Sequence, residues 1–149
     1  MATEVFGIDV GLSAWMIWIV PFIAALIIPA VGKGSKKATG YVAVGLALVS
    51  ALFAASLLPT ALDAHEVHDQ VSWISSIGIE AGVLADPLAV IMANVVGWIS
   101  FLILVYSTGY MKGDKDIVRF WFWMMFFIGS MQLIVLSDNL LQMFFGWEG

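Results

Sequence analysis

Glu148 is the side chain whose type and placement point most directly to chemistry. It ends the run Ser137-Asp138-Asn139-Leu140-Leu141-Gln142-Met143-Phe144-Phe145-Gly146-Trp147-Glu148-Gly149. If Asp138 caps a helix at a membrane surface, a rise of 1.5 Å per residue carries Glu148 about 15 Å inward, near the middle of a bilayer. Its neighbours on one helical face are Phe145, Phe144 and Leu141, none able to pair with a carboxylate. A carboxyl at that depth costs at least ~2.5 kcal/mol on insertion scales. Desolvation favours its neutral form and an approaching cation its charged form, so such a group can take up and release H⁺. The chemistry expected of Glu148 is therefore that of a proton relay. The bland alternative is that the short run bends back, leaving Trp147 and Glu148 at an interface as an ordinary aromatic-plus-acid end.

Other polar candidates are few. Asn94 and Gln132 fall deep inside apolar runs. Uncharged amides in membranes mostly bond a neighbouring helix, with a place on a polar path as the second reading. Asp138 is read as a cap at the outer surface and as a possible member of the same path. His65-Glu66-Val67-His68 lacks the H-e-x-x-H spacing of a zinc helix and reads as a loop with two solvated histidines. Gly32-Lys33-Gly34-Ser35-Lys36-Lys37 lacks the order of a phosphate-binding loop and reads as a basic turn. No dinucleotide, haem or nucleophile motif is present, and the chain has no cysteine for disulfides or iron–sulfur ligation. No metal or cofactor site is expected in this chain. Any linked redox chemistry belongs to other subunits, and no nucleic acid is expected.

The elements that must position these residues follow from composition. The chain has 149 residues, of which 62% are hydrophobic and only 11% charged. Its mean hydropathy of +1.00 excludes a water-soluble globule. A bilayer core about 30 Å thick takes roughly 20 apolar residues as a helix. Spans are expected at about 12–31, 39–62, 87–111 and 120–137, with a fifth helix beginning at 139. The first is no secretory signal, because its leader carries Glu4 and Asp9 and its apolar run is too long. The expected fold is an all-α polytopic membrane bundle, one transmembrane region over 1–149, with a short β-hairpin in the loop Asp63–Asp86.

That hairpin is read from Val71 to Val83, with Gly78 and Gly82 as its glycines. Asp86-Pro87 should start the third span, and Pro21 should kink the first. Small residues mark contact faces: Ala43, Ala47, Ala51, Ala54 and Ala55 in the second span, and Ala89, Ala93, Gly97, Ser100 and Ser107 in the third. Most tryptophans and tyrosines fall near span ends, where aromatic rings favour the interface; Trp98 does not, and is expected to be a packing residue.

Charge sets the orientation. All six basic residues lie in two short loops: Lys33, Lys36 and Lys37 in one, Lys112, Lys115 and Arg119 in the other. Both loops fall on one side if every span crosses, and the positive-inside rule makes that side cytoplasmic, or matrix-side in an organelle. The amino terminus and the acidic loop Asp63–Asp86 are then outside, in a prokaryotic plasma membrane.

The order of features resembles the antiporter-like subunit L of complex I, the L subunit of archaeal F420 dehydrogenases and the large subunit of multisubunit Na⁺/H⁺ antiporters. The residues behind this are Leu84-Ala85-Asp86-Pro87-Leu88, Tyr106-Ser107-Thr108-Gly109-Tyr110-Met111, Arg119-Phe120, Asp138-Asn139-Leu140-Leu141 and Phe145-Gly146-Trp147-Glu148-Gly149. The similarity runs from about Val71 onward, and the first two spans match only in placement and hydropathy. It implies inverted repeats of five helices, with a glutamate on the fifth helix paired to a lysine on the seventh, and proton movement along a polar axis of such lysines. Glu148 falls on that glutamate, and the lysine would lie beyond Gly149. The implied function is a proton-translocating subunit of a complex I-like oxidoreductase, itself without a redox centre, among other membrane subunits and lipid, with quinone, flavin or iron–sulfur groups in the partner subunits. The alternatives are the large subunit of a Na⁺/H⁺ antiporter or of a membrane-bound hydrogenase, and a structural helix bundle without transport. A chain ending halfway across a bilayer would leave its carboxylate and carbonyls in hydrocarbon. The sequence is therefore expected to be the amino-terminal piece of a longer subunit, or to be completed by a separate chain.

Overall fold

The computed structural model describes residues 4–5, 8–75 and 78–149. A two-residue ribbon, β1 (Glu4–Val5) and β2 (Ile8–Asp9), leads into α1 (Val10–Gly34). There follow α2 (Lys36–Ser56), the one-turn α3 (Leu58–Leu62), β3 (Val67–Ile74), β4 (Ile79–Ala85), α4 (Pro87–Tyr110), α5 (Ile117–Leu136) and α6 (Leu140–Glu148). Four helical segments, with α2 and α3 counted as one, are long and apolar enough to cross a membrane.

Local chemistry explains the boundaries. Asp9 caps α1 by accepting from the Leu12 N–H at 2.9 Å, Ser35 caps α2, and Asp86 caps α4 through the Ala89 N–H at 2.6 Å with Pro87 in the first turn. α1 continues as helix through Pro21 and Pro29. The second span is broken at Leu57, where Pro59 starts a separate turn, so residues 39–62 are not one uninterrupted helix.

The four long helices form a ring in which α1 packs on α2 and α5, and α4 closes it by packing on the same two; α6 folds back along α5. The core has two apolar clusters, one toward each membrane face. Ala14, Ile17, Ala54, Leu57, Val90 and Leu136 form the cluster under the hairpin. Ala24, Ile28, Ala43, Leu104, Trp121 and Met125 form the cluster near the lysine loops. Small and polar residues join them. The Ser50 hydroxyl donates to the Ile17 carbonyl at 2.6 Å, and a methyl at Gly97 would meet Ala51 Cα at 3.3 Å. The expected alanine stripe of α2 is buried at Ala43, Ala47, Ala51 and Ala54. Trp98 corrects its expectation: it is 36% exposed and meets Phe101 edge-on.

The hairpin is longer than the sequence reading, pairing Val67 with Ala85 through Ile74 with Ile79, with an irregularity at Trp73. Ser76 and Ile77 of the expected turn lie outside the described residues. Gly78 takes a φ of +69°, the left-handed conformation a tight turn asks of glycine. Gly82 is not a turn residue but lies within β4.

The two lysine loops meet at one end of the bundle: the Lys36 ammonium donates to the Lys115 carbonyl at 3.1 Å. The hairpin, α3 and the start of α6 occupy the other end. There the Trp15 indole donates to Asp69 at 2.9 Å, tying α1 to β3.

Candidate functional site

Short, polar connections hold α6. It is reached from α5 through Ser137, Asp138 and Asn139, and Ser137 bridges to Val83 of β4. Asn139 is the cap: its side-chain oxygen accepts from the Gln142 N–H at 2.9 Å. This corrects the expectation for Asp138. Adjacent Asp and Asn side chains are both able to cap, and Asp138 is turned away toward the hairpin.

Asp138 is 4% exposed at its side chain. It accepts from Gln70 Nε2 at 2.7 Å and Asn139 Nδ2 at 2.6 Å, and His68 Nε2 lies 3.4 Å away. Burial pushes its pKa up, but the hydrogen bonds from Gln70, Asn139 and His68, with the charge of His68, outweigh burial and hold it below the ordinary value. His68 is thus a partner of Asp138 rather than a solely solvated residue, while His65 lies against the Asp63 carbonyl.

Sequence reasoning missed Gln142. Its Oε1 accepts from the Gly82 N–H at 2.9 Å and its Nε2 donates to the Gly82 carbonyl at 2.8 Å. The side chain thereby satisfies both backbone groups of a buried strand residue. A methyl at Gly82 would overlap the Asp138 carboxyl, which is why glycine stands inside this strand. No local sequence signal links an amide in the first turn of α6 to a strand glycine 60 positions earlier. Asn139 Nδ2 also donates to the Glu80 carbonyl at 2.9 Å, and Trp73 meets Phe145 edge-on at 5.4 Å. The hairpin therefore grips the first turns of α6 at several points.

Beyond that grip α6 runs down α5. A methyl at Gly146 would approach the Ser130 carbonyl and the Ile134 N, each at 3.1 Å, and one at Gly149 would meet Phe126 at 3.2 Å. Gly149, the residue after Glu148, lies against Ser130 and Phe126, so Glu148 stands beside the middle third of α5. It is exposed on the surface of this chain rather than enclosed in the bundle, beside exposed Phe144, Phe145 and Trp147. Among the described residues it has no ion-pair partner.

The two interior amides lie elsewhere, between the long helices. Asn94 Nδ2 donates to the Ala54 carbonyl at 2.8 Å and to Val90 at 2.9 Å; Gln132 Nε2 donates to the Ala93 carbonyl at 3.0 Å. Each staples one helix to the next, and the amide oxygen of each has no partner among the described residues. The structure brings Asp138 to the hairpin, Asn94 and Gln132 to the ring, and Glu148 to the outer face of α6; it does not gather the four at one point.

This arrangement has relatives. The family described as NADH-ubiquinone oxidoreductase (complex I), chain 5 N-terminus, matches residues 72–121. NADH-quinone oxidoreductase subunit L of Rickettsia bellii is 39% identical over 141 residues, covering 91% of this chain and 22% of that protein. The chain is a homologue of the amino-terminal region of complex I subunit L. The chloroplastic NAD(P)H-quinone oxidoreductase subunit 5 of Zygnema circumcarinatum is 33% identical over 145 residues, covering 89% of the chain and 21% of that protein. Among solved structures, a chain of the Mrp complex from Dietzia sp. DQ12-45-1b superposes with a TM-score of 0.77 at 24% identity, over 91% of this chain and 14% of its own length. That last likeness is one of fold. The chain spans about a fifth of the length of the subunit L and subunit 5 relatives it matches.

Proposed function

We propose that this chain is the amino-terminal part of a proton-translocating membrane subunit of the subunit L type, and that Glu148 exchanges H⁺ under the influence of a cation supplied from outside the segment. The observation that carries this is the position of Glu148: beside the middle third of α5, on an exposed face, with no cation near it among the described residues. A cation drawn toward it stabilises the carboxylate, and withdrawing the cation favours proton uptake. Electron transfer would take place in partner subunits and bias these two states. Each charge moved against the membrane potential costs about 2.3 kcal/mol per 100 mV. The membrane is that of a prokaryotic cell, with the lysine loops on the cytoplasmic side and the amino terminus outside.

The test is Glu148→Gln in the assembled complex, with proton movement measured in sealed vesicles and electron transfer measured with an uncoupler present. Proton movement should fall on the order of 10²-fold, while the complex still assembles. Unchanged proton movement would refute the relay and favour a purely structural bundle. A second reading, the large subunit of a Na⁺/H⁺ antiporter, draws on the likeness to the Mrp complex chain. Exchange driven by a Na⁺ gradient without any electron donor would favour it.

A further inference from the structure

We infer that the end of the bundle opposite the hairpin holds an anionic phospholipid, with its phosphate among four lysines. α2, α4 and α5 splay apart there around an open groove of about 780 Å³, within the size range of small-molecule sites. Lys36, Lys37, Lys112 and Lys115 line it together with Tyr41 and Trp121. Asp114 also borders the groove, so the lining carries a net charge of +3, four lysines against one carboxylate. Asp114 Oδ1 is engaged with the Asp116 N–H at 2.7 Å. Among the described residues none of the four ammonium groups forms an ion pair.

Two further observations favour a lipid over a free anion. The groove begins at the charged loop and continues down past Thr108 and Gly40 to Trp121, so its deeper part lies between spans. Trp121 is 1% exposed, and its indole N–H has no acceptor among the described residues. Gly40 allows the ring this place, since a methyl there would meet it at 3.2 Å. A buried donor without a partner is costly, and the ester oxygens of a lipid lie below its phosphate, toward this depth. Tyr41, 79% exposed, flanks the groove on the outer side, where an acyl chain would leave. Basic pockets between spans at an anionic leaflet recognise headgroups by this chemistry.

The test uses the full subunit in its complex, incubated with phosphatidylcholine vesicles with and without phosphatidylglycerol, after which bound lipid is measured by native mass spectrometry. Retention of phosphatidylglycerol over phosphatidylcholine is expected. K37Q/K112Q should weaken it about 30-fold, and K37R/K112R should keep it. Lys36 is left in place because it also ties the two loops together. Equal retention of both lipids, unchanged retention in K37Q/K112Q, or displacement of the lipid by inorganic phosphate would overturn the proposal. So would a photo-crosslinker at position 41 that captures a neighbouring protein subunit instead of lipid.

Discussion

Asp138 and Glu148 are both carboxyls on the last stretch of chain, yet one is enclosed by hydrogen-bond donors and the other is exposed. Asp138 is held ionised by amide donors and His68. Its depressed pKa means that the folded state favours the carboxylate. The resulting stability is complete above the ordinary value of 3.8 and is lost as pH falls from there through the lowered folded value. Protection of the β4 amides against hydrogen exchange, taken relative to their intrinsic rates at each pH, should therefore fall on acidification through that window, and Asp138→Asn should flatten the dependence. Gln132 presents a different case, since its one interhelical hydrogen bond is of a kind worth about 0.6 kcal/mol, at most about 1.7. Gln132→Leu should lower stability by that amount and leave proton movement unchanged if the amide only staples helices. A matching loss of proton movement, measured in the same vesicles, would place it on the polar path.

At the scale of elements, α6 depends on its glycine contact with α5. Gly146 has the Ser130 carbonyl and Ile134 N within 3.1 Å of where a Cβ would stand. Gly146→Val should cost about 1–3 kcal/mol, read as a lower unfolding temperature in nanodiscs and faster exchange of α6 amides relative to α5. The same elements show what a sequence discloses. Spans are legible because hydrocarbon thickness dictates their length and composition, and small-residue stripes are legible because close backbone approach demands them. The cap of α6 was misassigned between Asp138 and Asn139, because either side chain can perform that role and only the hairpin decides. The clamp of Gln142 on Gly82 joins residues 60 positions apart, and no local pattern announces it. The break at Leu57 and the ribbon β1–β2 are too short to leave a periodic signature. Glu148 was legible in type, but its exposure depends on which face of α6 meets α5.

For the whole molecule, the separation of charge is the organising fact. All six basic residues lie at one end, as do Asp114 and Asp116, while eight of the eleven acids lie at or near the other. Cysteines placed singly at Lys37 and at Asp63 should react with a membrane-impermeant maleimide from opposite sides, Lys37→Cys only after the inner face is opened. Labelling of both from outside in sealed cells would break the proposed topology.

The grip of the hairpin on α6 has a mechanical corollary. Gln142 and Asn139 tie the first turns of α6 to β4 through three hydrogen bonds, so that end of the helix and the ribbon must shift together. A disturbance felt by the ribbon is therefore passed to α6 directly, without crossing the ring of long helices.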